Sequence, residues 1–521
     1  MRRLFWIVVC LWLIAFAAHG ETIHNGPHDP GAARSDLSNV SGATDLTLSG
    51  KVQAAWADIL GDVYASGSAI VGAGTAAAPA YTTVGDENTG IYFPAADTVG
   101  ISVGGSNVAQ VDSYGISDPE LNSRIEAYNN MNPKRWGIKI DTTDSDPFTS
   151  VEYVFDATSF SPATFTFDGV TGEMNGHDYG DWYPFINAIC RPVMVNPDGS
   201  VAYELDHSDQ TKKLDGTASD ITSTSHDMNA MVEFKRLWKK IYTDGTDIYI
   251  VFSNVQYDPD YEAYAFTNSS GEVNDRFYYS MFEGSNVSSK LRSLAAGTVM
   301  VSQAGSTEIS YAQANGTGWY ITSYQQHNFI ACLGALVSKS LASQAVFGRG
   351  NSNSGAYVNP GAAVSTPMFY GYDATDTSKV VKSLYIENMW GNYWMRCGGL
   401  LYRNDSGTGK IYIKNTPTYN NTGSGYTDTG ITPSGSSGGY TNQIVAANAL
   451  LTPSVSSGSS TTYFGDGFWW ALPSSSGDCH FALVGGYRGN AALCGSFAVT
   501  LGNPLSFVSS FVGARLSFVK E

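Results

Sequence analysis

The sequence predicts a mainly β protein with a minor α component, arranged as a short β stem followed by a larger β-rich head. Three observations predict it. Only 15% of the 521 residues are charged, while Gly (56) and Tyr (31) are abundant beside Ser, Thr and Asn, the composition of turn-rich β proteins. Short apolar runs are broken at intervals by Gly, Pro and Asp-Gly turns. A single stretch, "YQQHNFIACLGALVSK", repeats its apolar residues at helical spacing. The length exceeds the ~250–300 residues at which one core stops growing, so more than one domain is expected. A net charge of −18 offers phosphates no basic face and argues against a nucleic-acid partner.

Residues 1–20 read as an export signal: Arg2-Arg3 precede "LFWIVVCLWLIAFAA", and Ala18-His19-Gly20 supplies small residues at a cleavage point. The run is shorter than the ~18–20 apolar residues of a spanning helix, which leaves an uncleaved anchor as the alternative. Cys10 lacks the small residue that precedes a lipidated Cys. Loss of Arg2 and Arg3 leaves 27 basic residues against 47 acidic ones, or −20. Residues 21–75, rich in Gly, Ala, Ser and Asp, read as a flexible leader. Residues 76–118 alternate short strands at 90–93, 99–103 and 108–111 with turns at Gly85-Asp86, Pro94 and Gly104-Gly105. Strands this short do not bury both faces alone, so identical chains are expected to associate.

From about Asn122 to the end the strands lengthen and carry bulky aromatics. "WGIKIDTTDSDPFTSVEYVFDA", "MVEFKRLWKKIYTDGTDIYIVFS" and "YEAYAFTNSSGEVNDRFYYSMFEG" read as paired strands turning at Asp146-Pro147, Asp244-Gly245 and Gly271. In the helix, Phe329, Ile330, Leu333, Leu336 and Val337 share one face, which assigns that stripe to the core. "FGRGNSNSGAYVNPGAA" and "TPSGSSGGYTNQ" read as loops. Beyond the signal, Cys190, Cys332, Cys397, Cys479 and Cys494 are odd in number and lack zinc spacing; Cys479 with Cys494 is the first disulfide to test, with buried free thiols the alternative.

The motifs of catalysis are missing from the pattern. The eight His are dispersed without a His-Glu-x-x-His, and no Gly-x-Ser-x-Gly elbow occurs. Asp141, Asp144 and Asp146 read as solvated turn carboxylates ahead of a Ca²⁺ loop, because the full ligand pattern is absent. No catalytic residue, metal or cofactor is assigned. The separation of paired carboxylates, on which polysaccharide cleavage depends, is a three-dimensional matter.

Two resemblances add to this reading. "GDENTGIYFPAADTVGISVGGSNVAQVDSYG" resembles the short β repeat of phage tail-fibre proteins, which implies a fibrous, homotrimeric stem. Residues 122–521 resemble the C-type-lectin-fold, formylglycine-generating-enzyme-like modules of phage tropism-determinant-like proteins and of the variable proteins of diversity-generating retroelements. The matching residues are Met231-Val232-Glu233-Phe234, Ser343-Gln344, Gly348-Arg349-Gly350, Ile386-Glu387-Asn388-Met389-Trp390-Gly391-Asn392, and Gly485-Gly486 through Gly513-Ala514-Arg515. The oxidase relatives hold copper on a close cysteine pair, and both thiols are not placed on those positions here.

The second resemblance implies that the closing segment, 481–519, carries a display surface. Its exposed set would be Tyr487, Arg488, Gly489, Asn490, Leu493, Thr500, Gly502, Asn503, Phe507, Ser509 and Phe511. Phe481, Phe497, Val499, Leu501, Val512 and Leu516 would alternate inward. Gly485, Gly486, Gly495 and Gly513 are expected to adopt backbone geometries closed to other residues, and the aromatics to give rigid contact area as Tyr does in antibody loops. The bland alternative makes Tyr487, Phe507 and Phe511 the core of a strand pair. The function implied is receptor binding: attachment of a phage tail fibre to a host-cell surface protein or glycan, with other tail proteins and the chain's own copies as partners. The alternatives are an exported bacterial surface protein diversified by a retroelement and, further off, a formylglycine-type oxidase or polysaccharide-cleaving enzyme.

Overall fold

In this computed structural model the described residues are 73–83, 86–95, 98–112, 115–117, 133–353, 356–373 and 379–521. The signal-like segment and nearly all of the leader lie outside them. The chain is mainly β with a small helical part, and no helix of the described residues is long and apolar enough to cross a membrane.

The stem residues form a five-stranded antiparallel meander of Tyr81–Thr83, Asp86–Ala95, Thr98–Val103, Ser106–Asp112 and Gly115–Ser117. The expected turn at Gly104-Gly105 is present, with φ of +60° and +81°. Pro94 lies inside the second strand instead of in a turn, at a break in register between Tyr92 and Ala95, where its missing N–H is tolerated. The two faces of this sheet differ. Tyr92 is 6% exposed and lays its ring over its cross-strand partner Gly100, where a Cβ would stand 2.4 Å from the ring. On the opposite side Tyr81, Ile91 and Ile101 are successive cross-strand partners, and they remain 46%, 40% and 38% exposed.

In the head, Arg135–Asp141 pairs with Val151–Phe155, and Trp238–Asp244 pairs with Asp247–Ser253 through a turn with Gly245 at φ +61°. These four make one sheet. A six-stranded sheet runs in the order Val201–Glu204, Cys190–Val195, Asn229–Lys235, Arg276–Ser280, Leu516–Phe518, Trp319–Ile321. One of its faces, with Val232, Phe234, Phe277 and Tyr279, shares a core with Ile138, Ile140, Ile250 and Phe252 of the four-stranded sheet and with the central helix Tyr324–Ser338. Its other face, with Met231, Tyr278, Leu516 and Phe518, packs with Trp319 and the helix Gly305–Gln313.

The central helix is started by a capping box, with the Ser323 hydroxyl accepting from the Gln326 N–H and the Gln326 side chain accepting from the Ser323 N–H. It ends at Lys339 with φ +52°. The expected stripe is core, but all fifteen residues of the helix are buried, so its polar first turn also needs partners. His327 Nε2 donates to the Ser496 carbonyl at 2.9 Å and Asn328 Nδ2 to the Leu451 carbonyl at 2.7 Å. Burial pushes the His327 imidazole down to about 4.

The third sheet is nine-stranded and curls into a half-barrel. Its middle strands are Trp394–Asp405, Cys479–Val484, Val499–Pro504 and Gly467–Trp470, and Val512–Ala514 runs parallel along Trp394–Arg396. Gly438–Ala447 belongs to it, so the second half of "TPSGSSGGYTNQ" is strand and not loop: its backbone pairs with Gly467–Trp470. Of the two readings of the cysteines, the structure shows buried free thiols, and the candidate Cys479–Cys494 disulfide is not formed. All five described cysteines are buried free thiols, with Cys479 Sγ 3.7 Å from the Gly477 carbonyl and Cys494 Sγ donating to the Tyr487 carbonyl at 3.2 Å.

Candidate binding surface

The motif Glu387-Asn388-Met389-Trp390-Gly391-Asn392 is buried throughout and works as a knot beneath the closing segment. The Glu387 carboxylate accepts the N–H groups of Gly361 and Ala363, both at 2.8 Å. Asn392, at φ +54°, uses its whole amide: Oδ1 accepts from Asn351 Nδ2 and the Val358 N–H, and Nδ2 donates to Glu283 Oε2 and the Val358 carbonyl. Asn388 Nδ2 donates to the same Glu283 oxygen at 3.1 Å. Burial pushes the Glu283 carboxyl up to about 7. Trp390 Nε1 donates to the Gly348 carbonyl, and the Gly391 N–H to the Gly485 carbonyl at 3.1 Å. Arg515 reaches in from the C-terminal end and donates to the carbonyls of Glu387 and Asn388. The knot thus joins the loop after Gly348 to Gly485 and Arg515, the two ends of the closing segment.

Gly485 and Gly486 follow at φ +87° and +82°, a left-handed pair that turns the chain out of the sheet. Gly513 differs from the expectation: its φ is not positive, and it is glycine for space, since a Cβ would stand 3.0 Å from the Met300 carbonyl. After the turn, consecutive residues reach different partners. Tyr487 stacks on Phe511 at 4.7 Å, and Phe511 meets Phe507 at 6.3 Å. The Arg488 guanidinium lies 4.2 Å over the ring of Tyr357, which stacks on Tyr393 at 3.9 Å. Tyr487, Phe507, Phe511 and Trp469 are half-buried against Trp394, Leu483 and Val512 of the nine-stranded sheet and against Ala498, which precedes the strand Val499–Pro504.

The loop 504–511 is fastened from beneath by its backbone. The Gly305 N–H donates to the Leu505 carbonyl at 2.8 Å, and the Ser302 N–H to the Ser509 carbonyl at 2.9 Å. Arg396, itself buried and ion-paired with buried Glu308, donates to the Phe507 carbonyl at 2.8 Å. The carbonyls of 505, 507 and 509 are therefore all held by residues outside the loop. Along the loop exposure alternates: Pro504, Ser506, Val508 and Ser510 are exposed, and Leu505, Phe507, Ser509 and Phe511 are half-buried.

The inward set is borne out residue by residue: Phe481, Phe497, Val499, Leu501, Val512 and Leu516 are all buried. Of the outward set, Gly489 is exposed, and Tyr487, Arg488, Asn490, Leu493, Gly502, Asn503, Phe507, Ser509 and Phe511 are half-buried. Thr500 is a correction. It is 8% exposed because its strand lies between two others, with Leu483 and Trp469 of the aromatic cluster as its cross-strand neighbours. Within 481–519 the surface narrows to 487–493 and 502–511, since 481–486, 494–501 and 512–519 are buried. Trp469, Tyr357, Tyr393 and Val508, at 53% exposure, were not anticipated. The alternation of 504–510 was the available signal for Val508; the other three come from distant stretches with none.

Asp141, Asp144 and Asp146 cap their own turn, accepting from Thr143, from Asp146 and Thr149, and from Phe148. Among the described residues no three His, Cys, Asp or Glu side chains gather as a metal-holding group.

No family profile matches the chain, and no curated protein matches it. Among solved structures it is similar to the Major Tropism Determinant U1 variant, at 10% identity and a TM-score of 0.26, over 85% of this chain and 86% of that one. The Major Tropism Determinant P3c variant gives the same identity, TM-score and coverage. The I1 variant gives 12% identity, again with a TM-score of 0.26 and the same coverage. At that TM-score, the reading of the surface rests on its own geometry.

Proposed function

We propose that the chain is a receptor-binding protein that attaches to a host-cell surface protein or glycan through the face built from 487–493 and 502–511. The observation that carries this is the loop held at the carbonyls of Leu505, Phe507 and Ser509 by outside donors. Outside donors fix its backbone at three carbonyls, which leaves outward side chains such as Ser506, Val508 and Ser510 at liberty to vary and to make contacts. Half-buried Tyr487, Phe507 and Phe511 supply planar contact area that loses little side-chain entropy on binding. The test is adhesion of the purified protein to host cells, with Phe511→Ala and Val508→Asp variants beside the wild type. Loss of adhesion with retained folding supports the reading, and wild-type adhesion by both variants defeats it.

The setting that goes with this function is a phage tail, with the stem as a homotrimer. The exposed Tyr81, Ile91 and Ile101 row is an apolar face suited to burial against copies of the chain. Light scattering on the purified protein should give about three chain masses, and immunodetection in purified virions separates a tail protein from an exported bacterial surface protein.

A further inference from the structure

On the four-stranded sheet, with partners that include no residue of the closing segment, the Arg135 guanidinium lies against two aromatic rings. It lies 4.3 Å from the centroid of Phe155 and 4.2 Å from that of Tyr257. Both rings sit at the surface, 36% and 44% exposed. Phe155 holds its place with φ at +59°, a region that bulky residues rarely occupy and that clusters at binding sites. The guanidinium donates no hydrogen bond to any described residue. The Asp156 carboxylate is engaged elsewhere: Oδ2 accepts the Arg135 backbone N–H at 2.8 Å, and Oδ1 pairs with Lys134 at 3.2 Å. In a chain of net charge −18, a flat cation set against two rings and with no acceptor among the described residues is conspicuous.

The rings fix the plane of the guanidinium, so its N–H edge is presented as a preformed fork, the geometry that takes a carboxylate through two parallel bonds. On the same face of the sheet, where Tyr249 stands opposite Lys139, Tyr242 stacks on Tyr249 at 4.9 Å with planes 6° apart. The phenols of Tyr242, Tyr249 and Tyr257 make no hydrogen bond to any described residue. One carboxylate receptor, apolar ring edges and several phenol hydroxyls together suit a ligand with one carboxylate, apolar C–H faces and many hydroxyls. We infer that this face binds an acidic sugar, with Arg135 pairing its carboxylate while Phe155 and Tyr257 hold the guanidinium plane. The site is separate from the C-terminal surface and does not rest on its function.

The test titrates the full chain with methyl glucuronoside, its carboxamide, methyl glucoside and an N-acetylated dipeptide acid, read by ligand-observed saturation-transfer NMR. The acid should bind, and the amide and the neutral glucoside should bind more than about tenfold more weakly, because a charge-assisted pair is lost. Arg135→Gln should show the same loss for the acid. Equal binding of acid and amide overturns the inference, as does absence of binding by the acid up to about 10 mM. Binding of the dipeptide acid as tightly as the sugar acid overturns the assignment to a sugar. Should Arg135→Gln fail to fold, the acid and amide comparison on the unaltered protein decides alone. Full affinity in Arg135→Lys would overturn the paired geometry, since an ammonium keeps the charge without the planar fork.

Discussion

The segments 387–392 and 502–511 solve opposite problems. In the first, side chains hold backbones: Glu387, Asn388, Trp390 and Asn392 each tie down a distant group, and every residue is buried. In the second, the backbone is held by Gly305, Ser302 and Arg396, and the side chains are left half or fully outward. The difference teaches where this protein tolerates change. A residue that carries another's hydrogen bond is fixed in identity, and a residue whose own backbone is carried by others is not.

The largest effects belong to the first segment and to its counterpart under the loop. Trp390→Ala removes a ring that is 1% exposed together with the donor to the Gly348 carbonyl, and should lower unfolding free energy by about 3–5 kcal/mol in urea titration. Arg396→Ala leaves buried Glu308 without its partner and frees the Phe507 carbonyl, a loss of about 3–5 kcal/mol. Were either variant to lose under about 1 kcal/mol, the distinction between the segments would fail.

A pH effect comes next, and its sign follows from Glu283, the acceptor for Asn388 and Asn392. Its carboxyl sits at about 7 in the folded protein against 4.5 ordinarily, because it is wholly buried. The folded state therefore favours the protonated form, and stability falls as pH rises from 4.5 through about 7. His327 acts oppositely: held neutral at about 4 against 6.5, it lowers stability as pH falls from 6.5 to about 4. Urea midpoints across this range should lose the Glu283 slope in Glu283→Gln and keep the His327 slope. A Glu283→Gln profile identical to wild type contradicts the assignment.

Smaller effects mark the second segment. Phe507→Ala and Phe511→Ala cut half-buried rings packed on Trp394 and Val512, so each should cost about 1–2 kcal/mol, short of the fully buried Phe497→Ala at about 3–5. Attachment should fall more than about tenfold in the same variants. If they melt as early as Phe497→Ala, the rings are core and the display reading is lost. Smallest of all, Val508→Ser should change stability within about ±0.5 kcal/mol, because the side chain is 53% exposed and the backbone is held from below.

Much of the fold was legible in the sequence where the signal is local. The Asp244-Gly245 hairpin and the Gly104-Gly105 turn are written in turn chemistry, and the central helix in its apolar spacing; its capping box came only with the structure. The six inward residues of the closing segment were implied by the resemblance and are buried, but alternation does not single them out, since their strand neighbours Ala482, Leu483 and Thr500 are buried too. The partners of the motif 387–392 were not legible, because Glu283, Asn351 and Gly485 lie far from it along the chain.

What the sequence by itself determined is thus the mainly β class, the short strands of 76–118 with the Gly104-Gly105 turn, the Asp244-Gly245 hairpin and the helix. Tertiary structure alone decided that the helix is enclosed on all sides, that the five described thiols form no disulfide, that Thr500 is covered, and that Val508 is left 53% exposed. The physical reason is the same for the helix, Thr500 and Val508. Periodicity divides a segment into two faces, but which face meets solvent is set by whatever packs against it: the sheets around the helix, Leu483 and Trp469 beside Thr500, and Gly305, Ser302 and Arg396 beneath the loop.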